Sequence, residues 1–103
     1  MIRVTSSIAK KRLGDVPEDK RFWCCDGRVI KSLRELLTAL HGMSEDSFRC
    51  HSSDTGSDFS NWVRDVIGDE KLARDLRNSN SRLQAVKRVA DRIIWLESKI
   101  MNE

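Results

Sequence analysis

Four residues of this chain have the composition of a metal centre: Cys24, Cys25, Cys50 and His51. Three thiolates and an imidazole suit tetrahedral zinc. The spacing speaks against it. Structural zinc sites draw their cysteines from knuckles in which a few residues separate the sulfurs, so that both reach one ion. Neighbouring residues of a strand point to opposite faces, and Cys24 and Cys25 are therefore expected to diverge. Two small thiols and a polar loop histidine are the expected arrangement, with no metal and no other cofactor.

His51 also has the character of a catalytic base. It follows a predicted helix and precedes a loop that leads through Asp54 to Asp58, and a carboxylate there would orient the imidazole. Cys50, Ser52 and Ser53 are nucleophile types nearby. The sequence has neither a glycine-rich oxyanion or phosphate loop nor a nucleophile elbow. His51 is therefore expected to shape the entry to the next helix through hydrogen bonds, and no enzyme is expected. Asn61 has no propensity reason to sit in a helix, so it is expected to bond the 51–57 loop or to serve recognition beside Trp62. The acidic set Asp54, Asp58, Asp65, Asp69 and Glu70 does not follow a calcium-loop pattern, and Asp58 and Asp69 fit better as helix caps.

These residues surround one organising stretch, 57–73. Phe59, Trp62, Val63, Val66 and Ile67 recur at i, i+3, i+4, i+7 and i+8, the period of one helix face. Ser57 or Asp58 can cap its start. Gly68 is placed to end it in a left-handed conformation, and Asp69 can cap a second helix through Leu72, Ala73 and Leu76. Upstream, Asp26-Gly27 between Phe22-Trp23-Cys24-Cys25 and Arg28-Val29-Ile30 predicts a hairpin with a type I′ turn, anchored by Trp23. Ser32-Leu33-Arg34-Glu35 is a capping box that opens a helix with a stripe of Leu33, Leu36, Leu37 and Leu40, stopped at Gly42. Ser44 caps a short helix that ends near Cys50-His51. After Asn78-Ser79-Asn80, a long helix runs from Ser81 with Leu83, Val86, Val89, Ala90, Ile93, Leu96 and Ile100 at helical period. Ile94 and Trp95 fall beside that stripe, and exposed apolar side chains of this kind mark a contact surface.

Three pieces in order, Phe22-Trp23…Asp26-Gly27 with Ser32-Leu33-Arg34-Glu35-Leu36, then Met43-Ser44…Phe48…His51, then Asp58-Phe59-Ser60-Asn61-Trp62-Val63…Gly68-Asp69, resemble a family of small uncharacterised archaeal and bacterial domains. The resemblance covers about residues 20–77. Ser57 stands where that pattern often has Asn, and the three cysteines lie outside it. The family has no established activity, so the resemblance implies a fold and leaves function open.

The chain has 103 residues, 39% hydrophobic and 34% charged, with net charge +3. That is one modestly sized globular domain. Residues 1–43 carry nine basic and five acidic side chains, residues 44–70 two and seven, and residues 71–103 eight and four. An acidic middle between basic ends is a poor continuous nucleic-acid footprint. The odd cysteine count and the adjacent pair argue against a disulfide scaffold. No apolar run reaches the length of a membrane span, and no signal-peptide core is evident, so a cytoplasmic protein without membrane insertion is expected.

These observations predict a mostly α fold: a small orthogonal bundle of about five helices with a short hairpin at 22–30, preceded by a flexible basic arm and linker at 1–20. The expected core is Phe22, Trp23, Leu36, Leu40, Phe48, Phe59, Trp62, Val66, Leu72, Leu76, Val89, Ile93 and Leu96. The expected function is a non-catalytic interaction or regulatory module that binds a protein partner or itself, with His51, Asp58, Asn61, Trp62 and Trp95 as candidate contact residues. The alternatives are a nucleic-acid binder, using the basic ends and the stripe Lys71, Arg74, Arg77, Arg82, Lys87, Arg88 and Arg92, and an enzyme centred on His51.

Overall fold

A computed structural model describes residues 3–53 and 56–101. The fold is a compact, mostly helical domain that carries a short antiparallel N-terminal hairpin. In chain order the elements are α1 (Ser6–Leu13), a single 3₁₀ turn (Glu18–Lys20), β1 (Phe22–Trp23), β2 (Val29–Ile30), α2 (Leu33–Gly42), α3 (Glu45–Cys50), β3 (Ser52–Ser53), β4 (Gly56–Ser57), α4 (Asp58–Trp62), α5 (Glu70–Arg77) and α6 (Arg82–Met101). Helix α4 runs on through one π-helical turn, Val63–Ile67. The two small sheets pair Phe22 with Ile30 and Ser52 with Ser57.

Local chemistry explains most boundaries. Ser32, Ser44, Ser57 and Asp69 each accept a backbone N–H from the first turn of their helix, which satisfies donors that have no partner inside the helix. Glu35 reaches back one residue past the N-cap, accepting from the Lys31 N–H at 3.0 Å. Gly68 adopts φ 85° and closes the π turn with its N–H on the Val63 carbonyl, a conformation that a side chain would strain. Gly42 ends α2 as expected and has a second role. The Arg28 guanidinium, which donates to the Ala39 carbonyl, comes within 2.9 Å of where a Cβ would be.

Helix α6 lies against α1, α2 and α5. Its Ala85, Val86, Val89, Ile93 and Leu96 are buried, as are Leu33, Leu36 and Leu40 of α2 and Leu72, Ala73 and Leu76 of α5. A second region of the same core is aromatic, built from Phe22, Phe59 and Trp62.

Four expectations need correction. Residues 6–13, expected within a flexible arm, form helix α1: Thr5 caps it, and Ala9 and Leu13 are buried at i and i+4. A two-residue stripe is too short to stand out as periodic, so only its docking partner reveals it. Trp23 was the expected hairpin anchor, but it is 70% exposed and Phe22 is buried instead, because successive strand residues face opposite ways. Phe48 and Val66 are half-buried at the core margin. The hairpin turn also differs. Cys24 pairs with Arg28 and the Gly27 N–H bonds the Cys24 carbonyl. Positive φ occurs only at glycines among the described residues, at Gly27 here (95°). That combination is a three-residue loop with a glycine bulge. The Asp26 carboxylate, accepting the Arg28 N–H at 3.1 Å, selects it.

Candidate functional site

The hairpin turn, the end of α3 and the start of α4 converge on His51. Its Nε2 accepts the Cys25 N–H at 2.9 Å, and its Nδ1 lies 3.0 Å from Asp58 Oδ2. A carboxylate accepts, so Nδ1 carries the proton and Nε2 keeps the lone pair. Ser57 takes the cap of α4, which leaves the Asp58 carboxylate for the imidazole. The short β3–β4 pairing holds the two in register, with the Asp58 N–H on the His51 carbonyl. The ring packs edge-on to Phe22 (5.0 Å between centroids) and tilted to Phe59 (5.3 Å), and its side chain is only 11% exposed. Phe59 stacks on both Phe22 and Phe48. Trp62, a candidate contact residue, is buried in this group, and its Nε1 donates to the Lys20 carbonyl.

His51→Ala removes the ring together with both hydrogen bonds. The expected cost is about 2–4 kcal/mol, two exposed-side hydrogen bonds plus edge-to-face packing. Urea denaturation checks the cost. A nitrogen-15 spectrum of the wild-type imidazole checks the bonding directly, since neutral His51 should carry its proton on Nδ1.

The cysteines do not diverge. Cys25 stands in the three-residue turn and Cys24 is the last paired residue before it, so strand alternation does not carry through to Cys25. Their sulfurs and an imidazole nitrogen of His51 all lie within 4.8 Å of one another. The Cys25 thiol points to the Ser47 carbonyl at 3.7 Å, and the neighbouring Cys50 thiol raises the pKa of Cys25. Burial raises that of Cys24, with the Asp26 carboxylate alongside. Asp26 itself is held acidic, first by the Arg28 N–H. All three cysteines are free thiols.

No known protein family, curated protein or solved structure matches the chain.

The other candidates lie apart from this group. Asn61 is on the exposed side of α4, where it makes no bond to the 51–57 loop among the described residues. Asp54 and the side chain of Ser53 lie outside the described residues. Trp95 sits on α6, partly exposed, with Arg92 stacked 4.2 Å and Lys99 4.7 Å from its ring. It forms one wall of an open cavity of about 570 Å³ that Val4, Lys71 and Arg88 also line.

Sequence reasoning missed one group altogether. Asp69 is fully buried. Besides capping α5 it binds Arg92 in a two-pronged ion pair (2.7 and 3.1 Å) and approaches Arg12 of α1 at 3.8 Å. Arg92, one of the basic stripe that a nucleic-acid binder would use, falls on the buried side of α6. Its position at i−1 of Ile93 and i+3 of Val89, inside the apolar stripe, was the available signal.

Proposed function

We propose that this domain is a non-catalytic interaction module whose partner is a second copy of itself, docked along the outward face of α6. The observation that carries this reading is the pattern on that face. Leu83, Ile94 and Met101 are exposed (66%, 66% and 84%), and at 3.6 residues per turn they fall within about 20° of one another. With Lys87, Ala90 and Glu97 they follow the alternating four- and three-residue steps of a coiled-coil seam.

The seam is complementary to its own reverse. In an antiparallel pair crossing at residue 92, Leu83 meets Met101, Ala90 meets Ile94, and Lys87 meets Glu97, each twice by two-fold symmetry. Glu97 already lies 3.4 Å from Arg34 and would sit between two cations. With charges inside a short seam the dimer is weak, roughly micromolar.

Two alternatives lose support. A general base needs a lone pair aimed at substrate, whereas His51 uses its own to accept from Cys25, and the neighbouring thiols are held away from the reactive thiolate form. For nucleic acid, Lys71, Arg82, Lys87 and Arg92 are engaged with Asp75, Glu45, Asp91 and Asp69, which leaves the basic stripe broken. The chain's described helices include none long and apolar enough to cross a membrane.

Sedimentation equilibrium tests the dimer. Ile94→Glu should raise the dissociation constant at least about tenfold. Lys87→Glu alone should weaken association similarly, and adding Glu97→Lys should bring it back to within about threefold. A monomer at every concentration, or a charge reversal that the second reversal does not rescue, would sink the antiparallel seam.

A further inference from the structure

We infer that Cys24, Cys25 and His51 form the core of a metal site for a thiophilic divalent cation of the zinc class, with Cys50 swinging in as the fourth ligand, and that the ion clamps the hairpin turn to the end of α3.

The donors already stand close to what such an ion requires. A tetrahedral centre with metal–sulfur bonds of about 2.3 Å and metal–nitrogen bonds of about 2.0 Å places its ligand atoms about 3.5–3.8 Å apart. Cys24 Sγ, Cys25 Sγ and the imidazole nitrogen lie within 4.8 Å of one another. Closing by at most about 1.3 Å completes the triangle. Cys50, whose thiol lies near that of Cys25 but outside this triangle, would swing in to supply the fourth corner.

The surroundings of the donors point the same way. A metal-bound histidine typically gives its second N–H to a carboxylate, which fixes the tautomer and makes the ligating nitrogen more basic. His51 has this arrangement before any ion arrives: Nδ1 faces Asp58 at 3.0 Å and Nε2 is left as the acceptor. The Cys25 N–H now occupies that lone pair, and a metal would take its place while the exposed Cys25 amide turns to water. The ring is held between Phe22 and Phe59, so its direction is set by packing. Three thiols would release their protons to solvent as the sulfurs coordinate, and the resulting charge would fall near Arg28, which already pairs with Asp26 beside Cys24.

A clamp here also answers a structural need. The hairpin has two residues per strand, and a pair that short is marginal in water. Metal coordination contributes directly to folding free energy in small domains. It would join residues 24–25 to residues 50–51 and hold in place the hairpin whose strands carry exposed Trp23 and Val29.

Cobalt(II) titration of the reduced full chain, read in the visible spectrum, tests the site. We expect saturation at one equivalent, with thiolate-to-cobalt charge transfer and the strong ligand-field bands of a tetrahedral sulfur-rich centre. Zinc should then displace the cobalt and raise the melting temperature. Cys25→Ser and Cys50→Ser change exposed positions and should keep the wild-type circular dichroism spectrum. Each should lower cobalt affinity at least about tenfold and weaken the charge-transfer band. Absence of these bands in the wild type would overturn the site, as would binding that both serine variants leave unchanged.

Discussion

Asp69→Ala is expected to lower the unfolding free energy by about 3–5 kcal/mol, the usual cost of stranding a buried charge, with about 1 kcal/mol more for the lost cap. Asp69 is fully buried and holds three elements at once. Its Oδ1 accepts the Leu72 N–H at the start of α5, both oxygens bind the Arg92 guanidinium of α6, and Arg12 of α1 approaches at 3.8 Å. Removing the carboxylate leaves the Arg92 side chain, 9% exposed, without its anion. The Arg12 side chain is also mostly buried, so α1 should loosen first. A domain of this size has about 5–15 kcal/mol in total, and the variant should therefore be close to unfolding at moderate temperature.

The pair can be separated from the cap. Asp69→Asn keeps an oxygen for the Leu72 N–H and removes only the charge, so it should fall between wild type and Asp69→Ala. Asp69→Ala with Arg92→Met replaces the stranded cation by an apolar chain and should recover part of the loss, because a buried ion pair is often no better than well-packed apolar groups. Urea denaturation of the four proteins measures this. If Asp69→Ala cost less than about 1 kcal/mol, or the added Arg92→Met recovered nothing, the stranded-charge account would fail.

Phe59→Ala should cost about 3–5 kcal/mol, the range for emptying an aromatic site in a core. Its ring is 1% exposed and lies between Phe22 at 5.1 Å and Phe48 at 5.9 Å, with the His51 ring at 5.3 Å. This loss should reach beyond stability. Phe59 is one of the surfaces that fix the imidazole, so the variant should also free His51 to rotate and weaken its bond to Asp58. Phe59→Leu refills most of the volume without the stacking and should cost clearly less. Chemical denaturation gives the energies, and the His51 ring nitrogen signals report the second effect. A Phe59→Ala protein with an unchanged imidazole spectrum would show that packing does not hold the ring.

The sequence by itself determined the local part of this protein. Ser32, Ser44, Ser57, Asp69 and Gly68 mark helix ends because each satisfies or frees a backbone group within a few residues of itself. The 3.6-residue stripes of α2, α5 and α6 identify buried faces for the same reason: periodicity is a property of one element. These signals were enough for a mostly helical domain with its hairpin at 22–30. The central stretch was legible too, since Phe59, Trp62 and Val63 are buried as their spacing requires.

Tertiary structure alone decided what depends on contacts between distant residues. Helix α1 has only Ala9 and Leu13 to bury, and nothing in eight residues announces that α6 is there to receive them. Trp23 and Phe22 are equivalent as sequence; which of the two faces inward follows from the side on which the helices lie. The role of Arg92 depends on Asp69, 23 positions away. The cysteines are the sharpest case. Strand alternation predicted that Cys24 and Cys25 would part, but Asp26 and Gly27 turn the chain one residue earlier than a type I′ hairpin would. That shift, together with a histidine 26 positions downstream of Cys25, brings the sulfurs and the imidazole into one cluster. Helix caps act within a few residues and leave a pattern in sequence, whereas a convergence of side chains exists only once the chain has folded.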